Sequence, residues 1–181
     1  MTVVEADVLQ APLPATSFRA FGNIPFGLTT QILRLLLDDP ASSLVSADLI
    51  VQFEAARKRA SPWPSNLVSL GWLPWWEFRL ARRLPAAVFE PAPSVDAGVL
   101  SIERRPRPLL EPARRQDYVT LVRTAFKRPG IPVTHSLRGR VPTRTWKRIA
   151  RERGLRPNAT SLELDVFDWA ALFRAAHPNH G

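Results

Sequence analysis

The chain has 181 residues, of which 45% are hydrophobic, a size and composition that fit one domain with or without a small appendage. The absence of cysteine excludes disulfides, thiolate zinc sites and a cysteine nucleophile, and the three histidines lack metal-ligand spacing, so we expect no metal. The formal net charge of +9 indicates a polyanionic partner, and without a membrane-length apolar run or a signal peptide we expect a cytoplasmic protein that contacts no membrane.

Residues 2–9 predict a short buried strand that carries Asp7 near its carboxyl end. Pro12 and Pro14 then mark a loop. Open α/β sheets bind ligands at the carboxyl ends of their strands, so Asp7 is a candidate ligand-binding residue. A turn-forming or helix-capping aspartate is the alternative interpretation of the same residue.

Residues 17–24 predict the next strand, which leads into the rigid turn Asn23-Ile24-Pro25-Phe26. Pro25 fixes its own backbone torsion, removes a hydrogen-bond donor and favours an extended Ile24. The carbonyl groups around Asn23 and Ile24 are therefore left without helical partners. An amide side chain, free carbonyls and an aromatic ring at one strand end suit a planar ligand that carries an amino group. An ordinary proline turn with a buried Phe26 is the alternative.

Residues 28–37 have a helical period, and residues 43–53 form an apolar run typical of a strand. A second helix is predicted to begin at Glu54. Its basic residues are Arg57, Lys58 and Arg59. Such a face is most often only solvated, but beside an active-site loop it would contact RNA phosphates.

Four tryptophans lie within residues 61–76, interspersed with prolines. They are Trp63, Trp72, Trp75 and Trp76. Indole rings of this kind either stack on nucleic-acid bases or pack a helix onto a sheet, and we favour packing. The Glu-Phe-Arg-Leu sequence at residues 77–80 predicts another strand.

The sequence Phe89-Glu-Pro-Ala-Pro-Ser-Val-Asp96 is the second distinctive segment of the chain. Its two prolines stiffen a polyproline-like loop that presents Phe89. A further strand is predicted at residues 97–103, where it would close the sheet.

The composition changes after Arg104, where arginine and lysine become dense and acidic residues sparse. Helical periods at residues 115–126, 143–153 and 166–176 predict a small helical appendage. The predicted domains are residues 1–104 and residues 105–181. The candidate phosphate-contacting residues of the appendage are Lys127, Arg128, Arg138 and Arg140. A solvated face explains any one of them, whereas the patch as a whole favours nucleic acid.

The turn Asn23-Ile24-Pro25-Phe26 resembles the signature of amino-methyltransferases that use S-adenosylmethionine (SAM), in the Asn-(Ile/Leu)-Pro-(Tyr/Phe) form of the rRNA adenine N6-methyltransferases. The segment from Phe89 to Asp96 resembles the Phe-x-Pro-x-Pro-x-Val-(Asp/Asn) loop of the same enzymes and is more specific. The Trp-rich and Arg-rich style of residues 61–102 is most similar to the erythromycin-resistance (Erm) enzymes of actinobacteria. The resemblance covers residue 2 to about residue 176.

The resemblance implies an α/β fold, with an incomplete Rossmann-like SAM-dependent methyltransferase sheet whose first strands are missing, followed by a small all-α C-terminal domain. It implies an enzyme that methylates one adenine of large-subunit ribosomal RNA at N6, with SAM as cofactor. Such methylation confers resistance to macrolides, lincosamides and streptogramin B. A monomer is expected.

The resemblance also implies roles for individual residues. Phe26 and Phe89 would pack on the two faces of a flipped adenine, and Asn23 and Ile24 would accept hydrogen bonds from its amino group. Pro25 completes the catalytic turn. The residues that would contact SAM are Asp7, Val8 and Asn23.

The chain departs from the family pattern on the SAM side of the site. It has no Gly-x-Gly-x-Gly loop, and its first predicted strand resembles the third strand of the family. We therefore expect an N-terminally truncated sequence, with the strand at residues 17–24 at the sheet edge. A misplaced gene start and a fragment are the favoured explanations, and the third is a genuine truncated product, which would have no useful methyltransferase activity. Two other functions stay open: a small-subunit rRNA adenine dimethyltransferase of ribosome biogenesis, and a catalytically inactive RNA-binding module.

Overall fold

A computed structural model describes residue 3, residues 5–61 and residues 67–177 of the chain. Within these residues the chain divides into two compact units. The first unit contains the residues up to Ala60 together with Trp76–Pro106, and the second contains Ser61–Trp75 together with the residues from Arg107 onward.

The first unit is built on a four-stranded mixed sheet in the order β1-β2-β4-β3. Its strands are β1 (Phe18–Asn23), β2 (Leu44–Gln52), β3 (Trp76–Leu84) and β4 (Ala97–Arg104). β1 runs parallel to β2, whereas β4 is antiparallel to both β2 and β3. The strand that ends at Asn23 is therefore an edge strand, as the sequence predicted.

Two helices accompany this sheet, α1 (Thr29–Leu37) and α2 (Phe53–Arg59). α1 forms the crossover between the parallel strands and buries Ile32, Leu33, Leu36 and Leu37, the side of the helix given by its apolar period. α2 packs against β3 and β4, where a Cβ atom on Gly98 would lie only 3.1 Å from the Ala56 Cβ atom. These elements confirm the strands and helices predicted for residues 17–60, with boundaries shifted by one or two residues.

The strand predicted at residues 2–9 is not formed in the described residues of that segment. Thr2 and Val4 lie outside the described residues. Asp7 instead begins a turn in which its backbone carbonyl accepts hydrogen bonds from the N–H groups of Gln10 and Ala11. Val8 is 46% exposed, so the described residues of this segment lack both the partner strand and the burial that would hold an extended conformation.

The second unit is helical. It contains α3 (Leu67–Leu70), α4 (Arg115–Phe126), α5 (Val133–Ser136), α6 (Thr143–Glu152) and α7 (Val166–Ala176). Its core includes an edge-to-face aromatic series in which the Tyr118 ring lies 6.0 Å from the Trp75 ring and 5.7 Å from the Phe173 ring. The three long helices were predicted from sequence, whereas the one-turn helices α3 and α5 are too short to show a period.

The three described tryptophans of residues 61–76 pack in the protein interior rather than on its surface. Trp72, Trp75 and Trp76 are each 1% exposed or less, and Trp63 lies outside the described residues. Trp75 belongs to the helical unit, where its Nε1 atom donates a hydrogen bond to the Leu110 carbonyl at 2.7 Å. Their burial agrees with packing rather than base stacking, but Trp72 and Trp75 belong to the helical unit and not to the unit that contains the sheet. Residues 67–75 thus join the second unit, although the predicted first domain extended without interruption to residue 104.

Candidate functional site

The carboxyl end of β1 forms an open turn from Asn23 to Phe26. Ile24 continues the strand for one more hydrogen bond, from its N–H to the Ile50 carbonyl at 3.3 Å. Pro25 is extended (φ −57°, ψ 129°), and a single 3₁₀ turn, Phe26–Leu28, follows it. None of the described residues donates a hydrogen bond to the Asn23 side chain or to the Ile24 carbonyl, so both acceptors are available.

The start of α1 holds this turn in place from the other side. The Leu28 N–H donates to the Pro25 carbonyl at 2.9 Å, and the Thr29 hydroxyl donates to the Phe26 carbonyl at 2.9 Å. Thr29 itself is buried, whereas Asn23 is exposed and Phe26 half-buried. The turn therefore has a fixed backbone and presents an amide and an aromatic ring to solvent.

The loop between β3 and β4 presents the second aromatic side chain, Phe89. A 3₁₀ turn at Ala86–Val88 precedes it, and the Phe89 N–H donates to the Ala86 carbonyl at 3.2 Å. Phe89 then turns extended (φ −110°, ψ 150°) and is half-buried. The loop is thus ordered by its own backbone hydrogen bonds up to the residue that the sequence singled out.

Asp96 anchors the end of this loop to its beginning. One carboxylate oxygen accepts the Ala86 N–H at 2.9 Å, and the other accepts Nε and Nη2 of Arg83 at 2.8 Å and 2.6 Å. The Ala86 hydrogen bond, followed by that from Arg83, lowers the pKa of the Asp96 carboxyl below its ordinary value. The Asp96 carbonyl also accepts the Phe53 N–H at 2.9 Å, which ties the loop to the first residue of α2.

The sheet register brings the Asn23 turn and the Phe89 loop to the same edge of the first unit. Asn23 pairs with Ile50, two residues before the end of β2, and Gln52 pairs with Ala97 at the start of β4. Because β4 begins directly after Asp96, the loop and the turn both emerge where β1 and β2 end. The structure therefore places at one sheet edge two segments that lie about 60 residues apart in sequence.

Asp7 and Val8 do not occupy the strand-end position expected for them. The Asp7 carboxylate accepts hydrogen bonds from the Leu9 N–H at 3.0 Å and from Nε2 of Gln10 at 3.3 Å. Both partners are within three residues, the pattern of an Asx-type turn. Of the alternatives for Asp7, the turn-forming aspartate agrees with the structure.

The basic residues of α2 differ in how they are held. Arg57 forms an exposed ion pair with Glu54 at 2.7 Å, and the hydrogen bond that its guanidinium donates to the Glu54 carboxylate raises the pKa of Arg57. Arg59 donates to the Thr30 hydroxyl at 3.3 Å, and its partial burial lowers its pKa. Lys58 is exposed. Of the three side chains, that of Lys58 is therefore held least by contacts within the protein.

The basic candidates of the second unit fall into two groups. Lys127 and Arg128 are exposed just beyond the end of α4. Arg138 and Arg140 line a cavity of about 530 Å³ together with Arg144, which the sequence interpretation missed. The signal that could have identified Arg144 is its position in the first turn of α6, four residues beyond Arg140. Among the described residues, none of the clusters of His, Asp and Glu could hold a metal ion.

A family model for ribosomal RNA adenine dimethylase matches residues 1–176. The chain belongs to this family. The family and the methyltransferase fold predicted from the two motifs are thus confirmed. In the described part of the chain, no helix is long and apolar enough to cross a membrane.

Curated relatives of this chain carry names that agree with the family. The chain is 37% identical to the mycinamicin-resistance protein MyrB of Micromonospora griseorubida, over 96% of this chain and 55% of that protein. It is 41% identical to an rRNA adenine N-6-methyltransferase of Corynebacterium diphtheriae, over 75% of this chain and 53% of that protein. The chain thus spans about half the length of these relatives.

Solved structures show the same fold. The 23S rRNA methyltransferase ErmE is 28% identical and superposes with a TM-score of 0.82, over 95% of this chain and 70% of that chain. A dimethyladenosine transferase from Plasmodium falciparum superposes with a TM-score of 0.71 over 93% of this chain and 70% of that chain. Its 15% identity supports the fold alone.

Proposed function

We propose that the protein transfers a methyl group from SAM to the N6 atom of an adenine in large-subunit ribosomal RNA, and so confers resistance to macrolides, lincosamides and streptogramin B. The observation that carries the proposal is the placement of the Asn23 turn and the Phe89 loop at one sheet edge. The names of MyrB and ErmE support the large subunit and the resistance phenotype.

The Asn23 turn supplies hydrogen-bond acceptors for an adenine amino group. The lone pair of an exocyclic adenine nitrogen is delocalised into the ring, which makes this nitrogen a poor nucleophile. Hydrogen bonds from its two N–H groups to the Asn23 amide oxygen and the Ile24 carbonyl would favour the pyramidal geometry that attack requires. Because hydrogen bonds already hold the backbone of the turn, binding of the base would cost little further conformational entropy of the protein.

Phe26 and Phe89 would hold the base between two aromatic faces. Both residues are half-buried. The backbone of each is held by a hydrogen bond, from the Thr29 hydroxyl to the Phe26 carbonyl and from the Phe89 N–H to the Ala86 carbonyl. Their faces would also stabilise positive charge that develops on the ring during methylation. The adenine must leave its stack to reach them, at a cost of roughly a few kcal/mol. The proton of the product nitrogen can leave to solvent, so no general base is needed before attack.

The described residues fit the cofactor only in part. SAM, when bound, supplies an electrophilic methyl group. Among the residues expected to hold it, Asn23 lies at a strand end, whereas the Asp7 carboxylate is engaged by Leu9 and Gln10. The 181 residues contain no Gly-x-Gly-x-Gly turn that would accommodate the cofactor. The acceptor side of the site is therefore present in these residues and most of the SAM side is not.

The two units have separate roles in this proposal. The first unit, with the strands and helices up to Ala60 and from Trp76 to Pro106, contributes to the catalytic domain. The second, helical unit binds RNA. RNA contacts come from basic side chains of both units, which are Arg57, Lys58, Arg59, Lys127, Arg128, Arg138 and Arg140. The protein acts as a monomer in the cytoplasm and needs no metal.

Transfer of tritium-labelled methyl groups to RNA tests the proposal. The enzyme is a chimera in which a Gly-x-Gly-x-Gly segment from a SAM-dependent methyltransferase precedes these residues, and the substrates are fragments of large-subunit and small-subunit rRNA. We expect label in the large-subunit fragment only. The 181 residues alone are expected to transfer none, and micromolar SAM binding by them in a calorimetric titration would contradict the need for the glycine-rich segment.

A second candidate function is dimethylation of small-subunit rRNA, because the family is that of ribosomal RNA adenine dimethylases and its name specifies no subunit. Label in the small-subunit fragment would favour a dimethyltransferase of ribosome biogenesis. RNA binding without any label, in a chimera that binds SAM, would favour an inactive RNA-binding module. The assay therefore separates all three functions.

A further inference from the structure

The second unit contains a cationic cavity of about 530 Å³. Arg138, Arg140 and Arg144 contribute its charge, and the described residues that line it include no Asp or Glu. Much of the remaining lining is small or hydroxyl-bearing, including Gly139, Thr143 and Thr145. A cavity with three positive charges and no negative charge within it is suited to an anion.

The arginines of this cavity differ from several others in the same unit. Arg148 pairs with Glu152 at 3.1 Å, Arg153 pairs with Asp168 at 2.6 Å, and Arg156 pairs with Glu163. In contrast, Arg138, Arg140 and Arg144 are exposed, and no described residue forms an ion pair or a side-chain hydrogen bond with them. Among the described residues, carboxylates therefore neutralise three arginines that follow the cavity segment in sequence, whereas the three cavity arginines have no such partner.

The geometry points to a binding site for the sugar-phosphate backbone of RNA in this cavity, a site that rests on the proposed function and adds a defined anchor to it. Each guanidinium presents a planar set of donors that matches the oxygens of a phosphate. The three side chains come from one short segment, residues 138–144, whose Pro142 is followed directly by α6. They can therefore act on neighbouring phosphates of one strand.

The lining favours phosphodiester over a base or an apolar ligand. None of the described lining residues is aromatic, so the cavity has no ring on which a base could stack. The hydroxyls of Thr143 and Thr145 can donate to phosphate oxygens, and Gly139 adds no side chain that would block their approach. Contacts of this kind position RNA without reading its sequence. The cavity would therefore contribute to the affinity for RNA and fix the position of its strand on the protein, while the Asn23 turn selects the adenine.

The test measures binding of a fluorescein-labelled rRNA hairpin to the 181-residue chain by fluorescence anisotropy over a range of salt concentrations. The variant carries Arg138→Gln, Arg140→Gln and Arg144→Gln. The matched control carries Lys147→Gln, Arg148→Gln and Arg151→Gln, which removes the same charge from α6 outside the cavity. Circular dichroism checks that both variants remain folded.

We expect the cavity variant to bind at least about tenfold more weakly near 0.1 M salt. The slope of log K against log salt should fall by about two, because each lost contact to single-stranded RNA removes about 0.7 from it. The control should change the affinity less than about threefold. A third variant with lysine at the same three positions should keep most of the salt slope but lose affinity, since lysine lacks the planar donor set.

Equal losses in the cavity variant and its control would overturn the inference, because they would indicate a general basic surface. An unchanged cavity variant, or a wild-type chain that does not bind the hairpin, would overturn it as well. Methyl transfer is read separately. A chimera that labels RNA while its cavity variant binds normally would leave the proposed function intact and refute only the phosphate site.

Discussion

The Arg83 guanidinium donates two hydrogen bonds to one carboxylate oxygen of Asp96, at 2.8 Å from Nε and 2.6 Å from Nη2. The second oxygen of Asp96 accepts a hydrogen bond from the Ala86 N–H, so a single carboxylate joins the end of β3 and the start of the loop to the end of that loop. Arg83 also lies over the Phe53 ring at 4.8 Å. The loop that presents Phe89 is thereby closed by side-chain contacts as well as by its prolines.

Asp96→Asn should loosen the Phe89 loop without unfolding the first unit. The amide has the same shape but lacks the charge that strengthens the hydrogen bonds from Arg83 and Ala86. We expect hydrogen exchange at residues 86–89 to accelerate by about tenfold, measured by mass spectrometry, with little change in β2. Asp117→Asn, which removes the exposed partner of Arg114, is the control and should leave this loop unaffected. Unchanged exchange in the loop would contradict the anchoring role.

Gly98→Ala should destabilise the first unit because β4 passes too close to its neighbours there for a side chain. A Cβ atom at this position would lie 3.0 Å from Cδ1 of Leu80 and 3.1 Å from Cβ of Ala56. We expect the free energy of unfolding to fall by about 1–2 kcal/mol in a denaturant titration. Gly130→Ala, where a Cβ atom meets nothing within 4 Å, should change it by less than about 0.5 kcal/mol. Equal effects would refute the steric account.

Arg104 holds the connection between α1 and β2 against the start of β3. Its guanidinium donates to the carbonyls of Pro40, Ser42 and Leu44 at 2.5, 2.6 and 2.9 Å, and lies 4.4 Å from the Trp76 ring centroid.

Arg104→Ala should therefore lower the free energy of unfolding by about 2–4 kcal/mol, because three carbonyls lose a charged donor. Arg104→Lys should recover only part of this, since one ammonium cannot reproduce the planar set of donors. Arg82→Ala, at an exposed position of β3, is the control and should have an effect below about 0.5 kcal/mol. Full recovery by lysine would show that charge alone suffices.

Glu163 should make the second unit sensitive to acid. Hydrogen bonds from Arg156 and from Thr160 lower the pKa of its carboxyl to about 2, from an ordinary value of 4.5. The unfolded chain therefore binds more protons than the folded chain between these values, and the stabilisation is complete above about pH 4.5 and lost as the pH falls towards 2. Glu163→Gln should flatten the dependence of stability on pH in this window, in unfolding curves recorded from pH 2 to 6. A dependence as steep as that of the wild type would contradict this assignment.

Sequence reasoning predicted the Asn23 turn and the Phe89 loop because local chemistry determines both. Proline restricts the backbone in each segment, and the flanking strands have strong apolar patterns. It was wrong about the described residues of the segment 2–9, where two acidic residues, Glu5 and Asp7, interrupt the apolar pattern and Asp7 forms a turn. A strand requires a neighbour, and the local sequence does not say whether one is present.

The contacts that sequence reasoning missed are those made between distant segments. Asp96 was part of a recognised motif, but its partners Arg83 and Ala86 lie 13 and 10 residues earlier, across the β3–β4 loop. The cavity beside Arg144 likewise depends on Ala175 and Ala176 of α7, which no pattern near residue 144 could indicate. Such pairings follow from tertiary structure alone.

Mass spectrometry of digested RNA tests the central claim, that Asn23 receives the adenine to be methylated. The chimera with the glycine-rich segment is incubated with SAM and the large-subunit fragment, and N6-methylated adenosine is quantified against time. We predict that Asn23→Ala lowers kcat/KM for RNA by at least about 100-fold, and that Asn23→Asp, which keeps an acceptor oxygen, loses less. An Asn23→Ala enzyme that forms N6-methyladenosine at the wild-type rate would contradict the account.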